Sequence, residues 1–296
     1  MGFRVVMIEE GEQLKSKLDN LYIRKGGLEY TIPLSDISIV IVGNLNATIT
    51  ARLLSELALN NIVLVTCDRK HQPIGIYTGI NTHSRSSKVL KTQLSWNDEF
   101  KDDIWKEIIK SKITNQRNLL KKLDKNNEAI NLLTKYIEEI KTGDKTNREG
   151  HAAKVYFNSL FGIDFTRDDD ILINNCLNYI YTITRSFFAK LVVAYGFTGA
   201  LGVHHRNEYN SFNLVDDLME PFRPICDEYV VNLLENIKLF DINTRIKLVD
   251  FLNYEIKYKN KIMKISSVAD IYVQGFMRSS QNNELGLIQY PEVKSE

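Results

Sequence analysis

The chain is predicted to be an α+β protein, with a small β-rich N-terminal domain followed by a larger all-α C-terminal domain. Three observations lead there. Short β-branched and aromatic runs, broken by Gly, Asn, Asp or Pro, fill residues 1–79. A polar stretch, GINTHSRSSKVLKTQ, then follows with few large apolar residues. Beyond it apolar residues recur at helical spacing. The boundaries drawn are a β-rich domain at 1–79, a linker at 80–90 and a helical domain at 91–296.

Phe3 to Ile8, Leu28 to Ile32, Ile37 to Val42, Ile62 to Thr66 and Ile74 to Tyr77 each read as strands. YIRKGGLEYTIP reads as a hairpin, since Gly26 and Gly27 supply the positive φ angles of a tight turn. One helix, Ile49 to Leu59, interrupts the strands with Leu53, Leu54, Leu57 and Ala58 on one face. In the second domain, Asp98 to Leu123 carries Phe100, Ile104, Trp105, Ile108, Ile109 and Ile113 on one face, with Lys101, Lys106, Lys110 and Lys112 interspersed. Leu172 to Tyr195 is apolar enough for a central buried helix.

Composition narrows the function classes. The 296 residues are 44% hydrophobic and 25% charged, enough to bury one large core or two moderate ones. A net charge of +1 neither requires nor excludes nucleic acid, so any such signal must be local. From His83 to Lys125, Lys and Arg outnumber Asp and Glu by five, which makes Lys88 and Lys91 candidates for phosphate contacts. Cys67, Cys176 and Cys226 lie far apart without CxxC spacing, arguing against a zinc knuckle or a disulfide framework and fitting a reducing cytoplasm. No apolar run is long enough to insert in a membrane.

Chemistry concentrates in three places. Thr146-Asn-Arg-Glu149 precedes an apolar-periodic run and has the spacing of a capping box, so Glu149 can serve simply to satisfy an amide at a helix start. His204 and His205 follow a glycine-punctuated turn, Gly196 to Gly202, that can aim a side chain into a groove. Asn213 is expected to cap a short helix bearing Asp216, Asp217 and Glu220, which Pro221 kinks. Asp217 and Glu220, three apart, share a face and repel unless a cation intervenes; a solvated acidic face is the competing reading. One His with two carboxylates suits a hard or borderline divalent ion, Mg2+ or Mn2+.

TNREGHAAKVYFNSLFG, DDDILINNCLNYIYTITRS and GVHHRNEYNSFNLVDDLMEPFRP, in that order, resemble the CRISPR-associated adaptation integrase, a metal-dependent nuclease and integrase, and its type II branch in particular. The resemblance implies Glu149, His205 and Glu220 as catalytic metal ligands. His205 is chosen over His204 because it stands two residues before Asn207 of the N-x-[YF]-N run. It implies a supporting role for Asp217, and site-lining roles for Asn178 and Tyr179. Arg148, Arg206 and Arg223 flank the ligands and can bind DNA phosphates or pair with local carboxylates. The expected reaction joins a spacer fragment's 3′-OH to a CRISPR repeat phosphodiester. The expected partners are double-stranded DNA, a second copy of the chain, a dimer of a second adaptation protein, the type II effector nuclease and a DNA-end-binding accessory protein. A structure-specific metal nuclease and a non-catalytic architectural DNA-binding dimer are the alternatives.

Overall fold

The computed structural model describes residues 4–10, 13–80 and 83–294. The first strand was expected to begin at Phe3, which lies outside the described residues, as do residues 81–82 of the expected linker. In chain order the N-terminal region contains β1 (Arg4–Ile8), β2 (Gln13–Lys17), β3 (Asn20–Lys25), β4 (Leu28–Pro33), β5 (Ile37–Val42), β6 (Thr48–Ile49), α1 (Ala51–Leu59), β7 (Val63–Cys67) and β8 (Pro73–Tyr77). These build two four-stranded sheets, one ordered β1-β5-β7-β8 and the other β4-β3-β2-β6. In the first, β1, β5 and β7 run parallel, with Val6 opposite Val40 and Ile41 opposite Val65.

β5, ISIVIV, is apolar except for Ser38, and this has a direct cause: every residue in it is buried. Ile39 and Ile41, with Val63 and Val65, join the core of the helical region, whereas Val40, Val42 and Leu64 join a second core with Leu14, Leu21, Leu53 and Leu57. A strand covered on both faces loses the polar alternation of a half-exposed one. The β3–β4 hairpin turns through Gly26 (φ 54°) and Gly27 (φ 82°), as expected. The turn between β2 and β3 uses Leu18 (φ 49°) and Asp19 (φ 58°) instead. Without Gly or Asn it carries none of the usual signature of a two-residue turn, and β2 went unread. Thr50 caps α1, so the helix starts two residues later than expected and Ile49 belongs to β6.

The C-terminal region comprises α2 (Ser86–Leu94), α3 (Asp98–Lys122), α4 (Asn127–Glu139), α5 (Arg148–Phe161), α6 (Leu172–Ala194), α7 (Asn213–Met219), α8 (Arg223–Leu234), α9 (Ile242–Val249), the hairpin β9 (Glu255–Tyr258) and β10 (Lys261–Lys264), and α10 (Ile265–Asn282). Two features refine the expected organisation. The helix α2 begins inside the stretch read as linker, and a two-stranded ribbon is set among the helices. α3 packs on α4, α5 and α8, and α6 packs on α7 through α10 and back onto the first sheet. The C-terminal segment is tied to α3: Asn118 donates to the Val293 carbonyl, and Asn115 accepts from the Val293 amide while donating to the carbonyls of Pro221 and Pro291. No helix of the described residues is long and apolar enough to cross a membrane.

Candidate active site

Glu149 and Glu220 sit at element boundaries, and Asp217 lies within α7. α5 begins after Asn147, which caps it through Gly150 N, while Asp144 accepts from the amides of Arg148 and Glu149. The expected capping box does not form: the Thr146 hydroxyl has no partner and Glu149 is released from capping. The Glu149 carboxylate reaches across to α3, where it accepts from Lys112 Nζ at 2.6 Å.

Asn213 is not the cap of α7. Its amide turns back to the carbonyls of Ala200 and Asn207 instead, and Phe212 occupies the cap position. α7 ends at Met219, and a 3-10 turn, Glu220–Phe222, joins it to α8. Pro221 and Pro224 suit this junction, since the first residues of a helical turn have no intrahelical use for an N–H. Asp217 and Glu220 are buried, at 0% and 4% exposure, so the solvated acidic face is overturned.

Two different devices compensate these charges. Asp217 accepts the backbone N–H groups of Val203, His204 and His205, and its Oδ1 lies 2.5 Å from His205 Nδ1. Glu220 Oε1 accepts from Arg223 Nε at 2.6 Å, and its Oε2 lies 2.5 Å from Lys112 Nζ, an ion contact off the hydrogen-bonding direction. Burial pushes the Glu220 carboxyl up, but Arg223 and Lys112 outweigh it and bring it down to about 2. Burial disfavours the Lys112 ammonium, and Glu220 with Glu149 more than restores it. One buried ammonium thus bridges two carboxylates from different helices.

The histidine pair divides its labour. His204 stacks flat on Trp105 at 4.1 Å, and burial holds its ionisation below the ordinary range. His205 stands edge-on to the same ring, and its hydrogen bond to Asp217 raises its ionisation. With Nδ1 committed to a carboxylate, Nε2 is the nitrogen left to act, the arrangement usual for a metal-ligating imidazole. Gly202 permits this loop: a Cβ there would meet Asp217 Oδ2 and the His205 carbonyl at 2.6 Å. Gln93 of α2 fastens the preceding turn, donating to the carbonyls of Thr198 and Leu201 and accepting from Thr198 N.

His205, Glu220 and Arg223 border a cavity of about 430 Å³ that is also lined by Asn178, Thr182 and Arg185 of α6 and Arg167 of the loop before it. Asn178 lines the cavity, accepting from Arg167 at 2.7 Å. Tyr179 does not. Adjacent positions on a helix project about 100° apart, and Tyr179 is fully buried against Phe240 on the other side. Tyr181, three residues beyond Asn178, takes the lining position. Its ring lies under the guanidinium groups of Arg223 at 4.8 Å and Arg167 at 5.5 Å.

The basic candidates separate. Arg223 belongs to the ion cluster and the cavity wall. Arg148 is engaged locally, 2.9 Å from Glu139 and over the Tyr136 ring. Arg206 is exposed and lies 3.7 Å from Asp98, and Lys88 and Lys91 are exposed on α2. Sequence reading missed Lys112, Arg167, Arg185 and Tyr181. Lys112 left a signal, since it occupies a position of the apolar stripe four residues after Ile108 and three after Ile109, and Tyr181 and Arg185 lie within the second quoted motif.

A bound ion is a fair test of this donor set. Among the described residues, no three His, Cys, Asp or Glu side chains converge as metal ligands do. Lys112 holds the space between the two glutamates. Lys112 already places a cation between the two glutamates, and His205 lines the same cavity as Glu220, so the side chains at hand are of the O and N type that hard or borderline divalent ions take.

A strand-rich region leading into a helical one with this arrangement is the fold of the Cas1-like proteins. A casposase bound to its integration product has the same fold, with TM-score 0.79 at 19% identity over 99% of this chain and 95% of that one. So does a Cas1 protein from Thermotoga maritima, with TM-score 0.77 at 16% identity over 94% and 97%. The family description "CRISPR associated protein Cas1" matches residues 5–248, and the CRISPR-associated endonuclease Cas1 of Neisseria meningitidis serogroup C is 35% identical over 99% of this chain and 97% of its own. The chain belongs to the Cas1 family of CRISPR-associated proteins.

Proposed function

We propose that the protein is a metal-dependent DNA integrase that joins the 3′-OH of a spacer fragment to a repeat phosphodiester, with Glu149, His205 and Glu220 holding Mg2+ or Mn2+. The observation that carries this reading is the buried bridge of Glu149 and Glu220 on Lys112, beside an imidazole whose Nδ1 is engaged by Asp217. Two carboxylates held together in a protein interior require a cation. When bound, such an ion would draw charge from the attacked phosphodiester and favour the deprotonated hydroxyl. Asp217 fixes the His205 ring, and Arg223 keeps Glu220 ionised. Arg167 and Arg185, with Asn178 and Thr182, line the same cavity as His205 and Glu220, where guanidinium groups suit phosphate oxygens.

The partners proposed are double-stranded DNA, a second copy of this chain and a dimer of a second adaptation protein. In support of the last, a solved Cas6-RT-Cas1–Cas2 complex aligns with 98% of this chain and 36% of its own, with TM-score 0.79. The type II effector nuclease and a DNA-end-binding protein complete the proposed set.

The test is strand transfer into a supercoiled plasmid bearing the repeat, with donors ending in 3′-OH or 3′-deoxy nucleotides. The 3′-OH donor is expected to be joined with either metal and the 3′-deoxy donor not at all. Equal joining of both donors sinks the integrase reading, and metal-dependent cutting without joining leaves a nuclease that uses water. Glu149→Ala, His205→Ala and Glu220→Ala should each abolish joining, whereas Asp217→Asn should lower it by about 10–100-fold, the usual cost of losing the group that orients a ligand.

A further inference from the structure

Tyr209 is the most solvent-exposed tyrosine beside the site, with 89% of its surface accessible. It sits on a turn, Asn207 to Asn210, that is braced on both sides. Asn210 N donates to the Asn207 carbonyl at 3.1 Å, Tyr209 N donates to Asn207 Oδ1 at 3.0 Å, and Asn213 Nδ2 holds the Asn207 carbonyl at 2.9 Å. On the other side, the Asn210 amide donates to Asp216 at 2.8 Å and accepts from Arg185 at 3.0 Å. So many hydrogen bonds to a surface turn fix its backbone while its one large apolar side chain makes no core contact.

The position of the turn gives that presentation a use. His205 borders two cavities: the one of about 430 Å³ already described, and a second of about 440 Å³ lined by Lys101, Arg206, Asn207 and Asn210. The first is bounded by Arg167, Arg185 and Arg223. A strand whose attacked phosphate lies at His205 therefore borders two recesses with more cations than carboxylates, Arg167, Arg185 and Arg223 against Asp216 and Glu220 in the first and Lys101 and Arg206 against Glu208 in the second, and the braced turn lines the second. A rigidly presented aromatic ring beside such a path is suited to take the face of a base, and stacking is tolerant of base identity.

We propose that Tyr209 is a base-stacking residue that grips the nucleotide next to the joined phosphate and so sets the strand at His205. The proposal rests on the integrase reading above. It is tested on the full-length protein with a branched duplex that mimics the joined product, prepared with 2-aminopurine on one side of the junction or the other. Wild-type protein should quench one of the two probes on binding without metal. Tyr209→Ala should lose that quenching and slow joining by about 5- to 150-fold, the range that follows from losing one stacked base. Tyr209→Phe and Tyr209→Trp should keep both properties, because only the ring face is required. Wild-type joining with Tyr209→Ala equal to it, or rescue by neither aromatic, overturns the stacking role and leaves the integrase reading intact. An altered oligomeric state in Tyr209→Ala with unchanged quenching also overturns it, making the ring a protein contact. Failure of wild-type protein to join DNA with either metal removes the integrase reading and this inference with it.

Discussion

Glu220 and Asp227 stand seven residues apart on one stretch of chain, and both carboxylates are buried, yet their protonation is driven in opposite directions. Glu220 touches two cations, Lys112 and Arg223, and falls to about 2. Asp227 is held by the hydroxyls of Tyr156 and Tyr181, and burial carries it up to about 6 against the pull of those hydrogen bonds. The desolvation penalty is common to both. Full opposite charges overcome it and neutral donors do not. One carboxylate is kept ionised by the two cations it touches, while the other ties α5, α6 and α8 together through Tyr156 and Tyr181.

The sharpest way to break the comparison is to remove the shared ammonium. Lys112→Met leaves two glutamates facing each other with one cation fewer, and losing one partner of a buried ion cluster costs about 3–5 kcal/mol. Urea unfolding at neutral pH should show a loss of that size. If the proposed ion takes the place of the ammonium, millimolar Mg2+ or Mn2+ should raise the unfolding midpoint of Lys112→Met more than that of wild type. A loss under about 0.5 kcal/mol, the scale of an ordinary surface substitution, would show that Lys112 is no counter-ion here.

Titration gives the next largest effect, and the two residues should act in adjoining windows. The Glu220 carboxyl is depressed on folding, so its contribution is present above its unfolded value near 4.5 and is lost as pH falls towards 2. That is on the order of 3 kcal/mol. The Asp227 carboxyl is raised, so the folded state keeps a proton that the unfolded chain gives up. Its contribution is present below 3.8 and is lost as pH rises to about 6, again on the order of 3 kcal/mol. Asp227→Asn should therefore flatten the decline in stability between about pH 4 and 6, and Glu220→Gln the rise between about pH 2 and 4.5. If Asp227→Asn left the pH 4–6 limb as steep as in wild type, Asp227 would not be the group that titrates there.

The same contrast explains what could be read from the chain. The Gly26–Gly27 hairpin, the doubly covered β5 and the long helices α3 and α6 were legible because their signals are local: turn chemistry, apolar continuity and a 3.6-residue period. Glu149, His205, Asp217 and Glu220 were legible as a resemblance, and spacing alone left Glu149 a plausible cap. Lys112 was passed over as one more lysine on an amphipathic helix, although it occupies the buried face. Nothing local announces that Asp227 meets Tyr156 and Tyr181, 71 and 46 residues away, or that Arg167 and Arg185 line one cavity with Glu220. Tyr179 was misplaced because a motif names neighbours in sequence, and on a helix neighbours point apart. α2 was absorbed into the linker because only Val89 and Gln93 of its nine residues are buried, too few to give a periodic signal.

The smallest effects lie in the tyrosines. Tyr156→Phe and Tyr181→Phe each delete one hydroxyl from Asp227 and leave one carboxylate oxygen unpaired, at a cost of about 1.5–3 kcal/mol where Asp227 is charged. Both hydroxyls favour the ionised form, so either deletion should move the midpoint of the Asp227 limb to higher pH. The two variants then part ways on function. Tyr156 is fully buried, whereas the Tyr181 ring borders the cavity and carries Arg223 and Arg167 on its face. Phenylalanine keeps that face, so Tyr181→Phe should still join DNA at close to the wild-type rate, and Tyr181→Leu should not, because the guanidinium groups lose their platform. Equal activity of Tyr181→Phe and Tyr181→Leu would show that the ring contributes nothing to the cavity and that Asp227 belongs wholly to the scaffold.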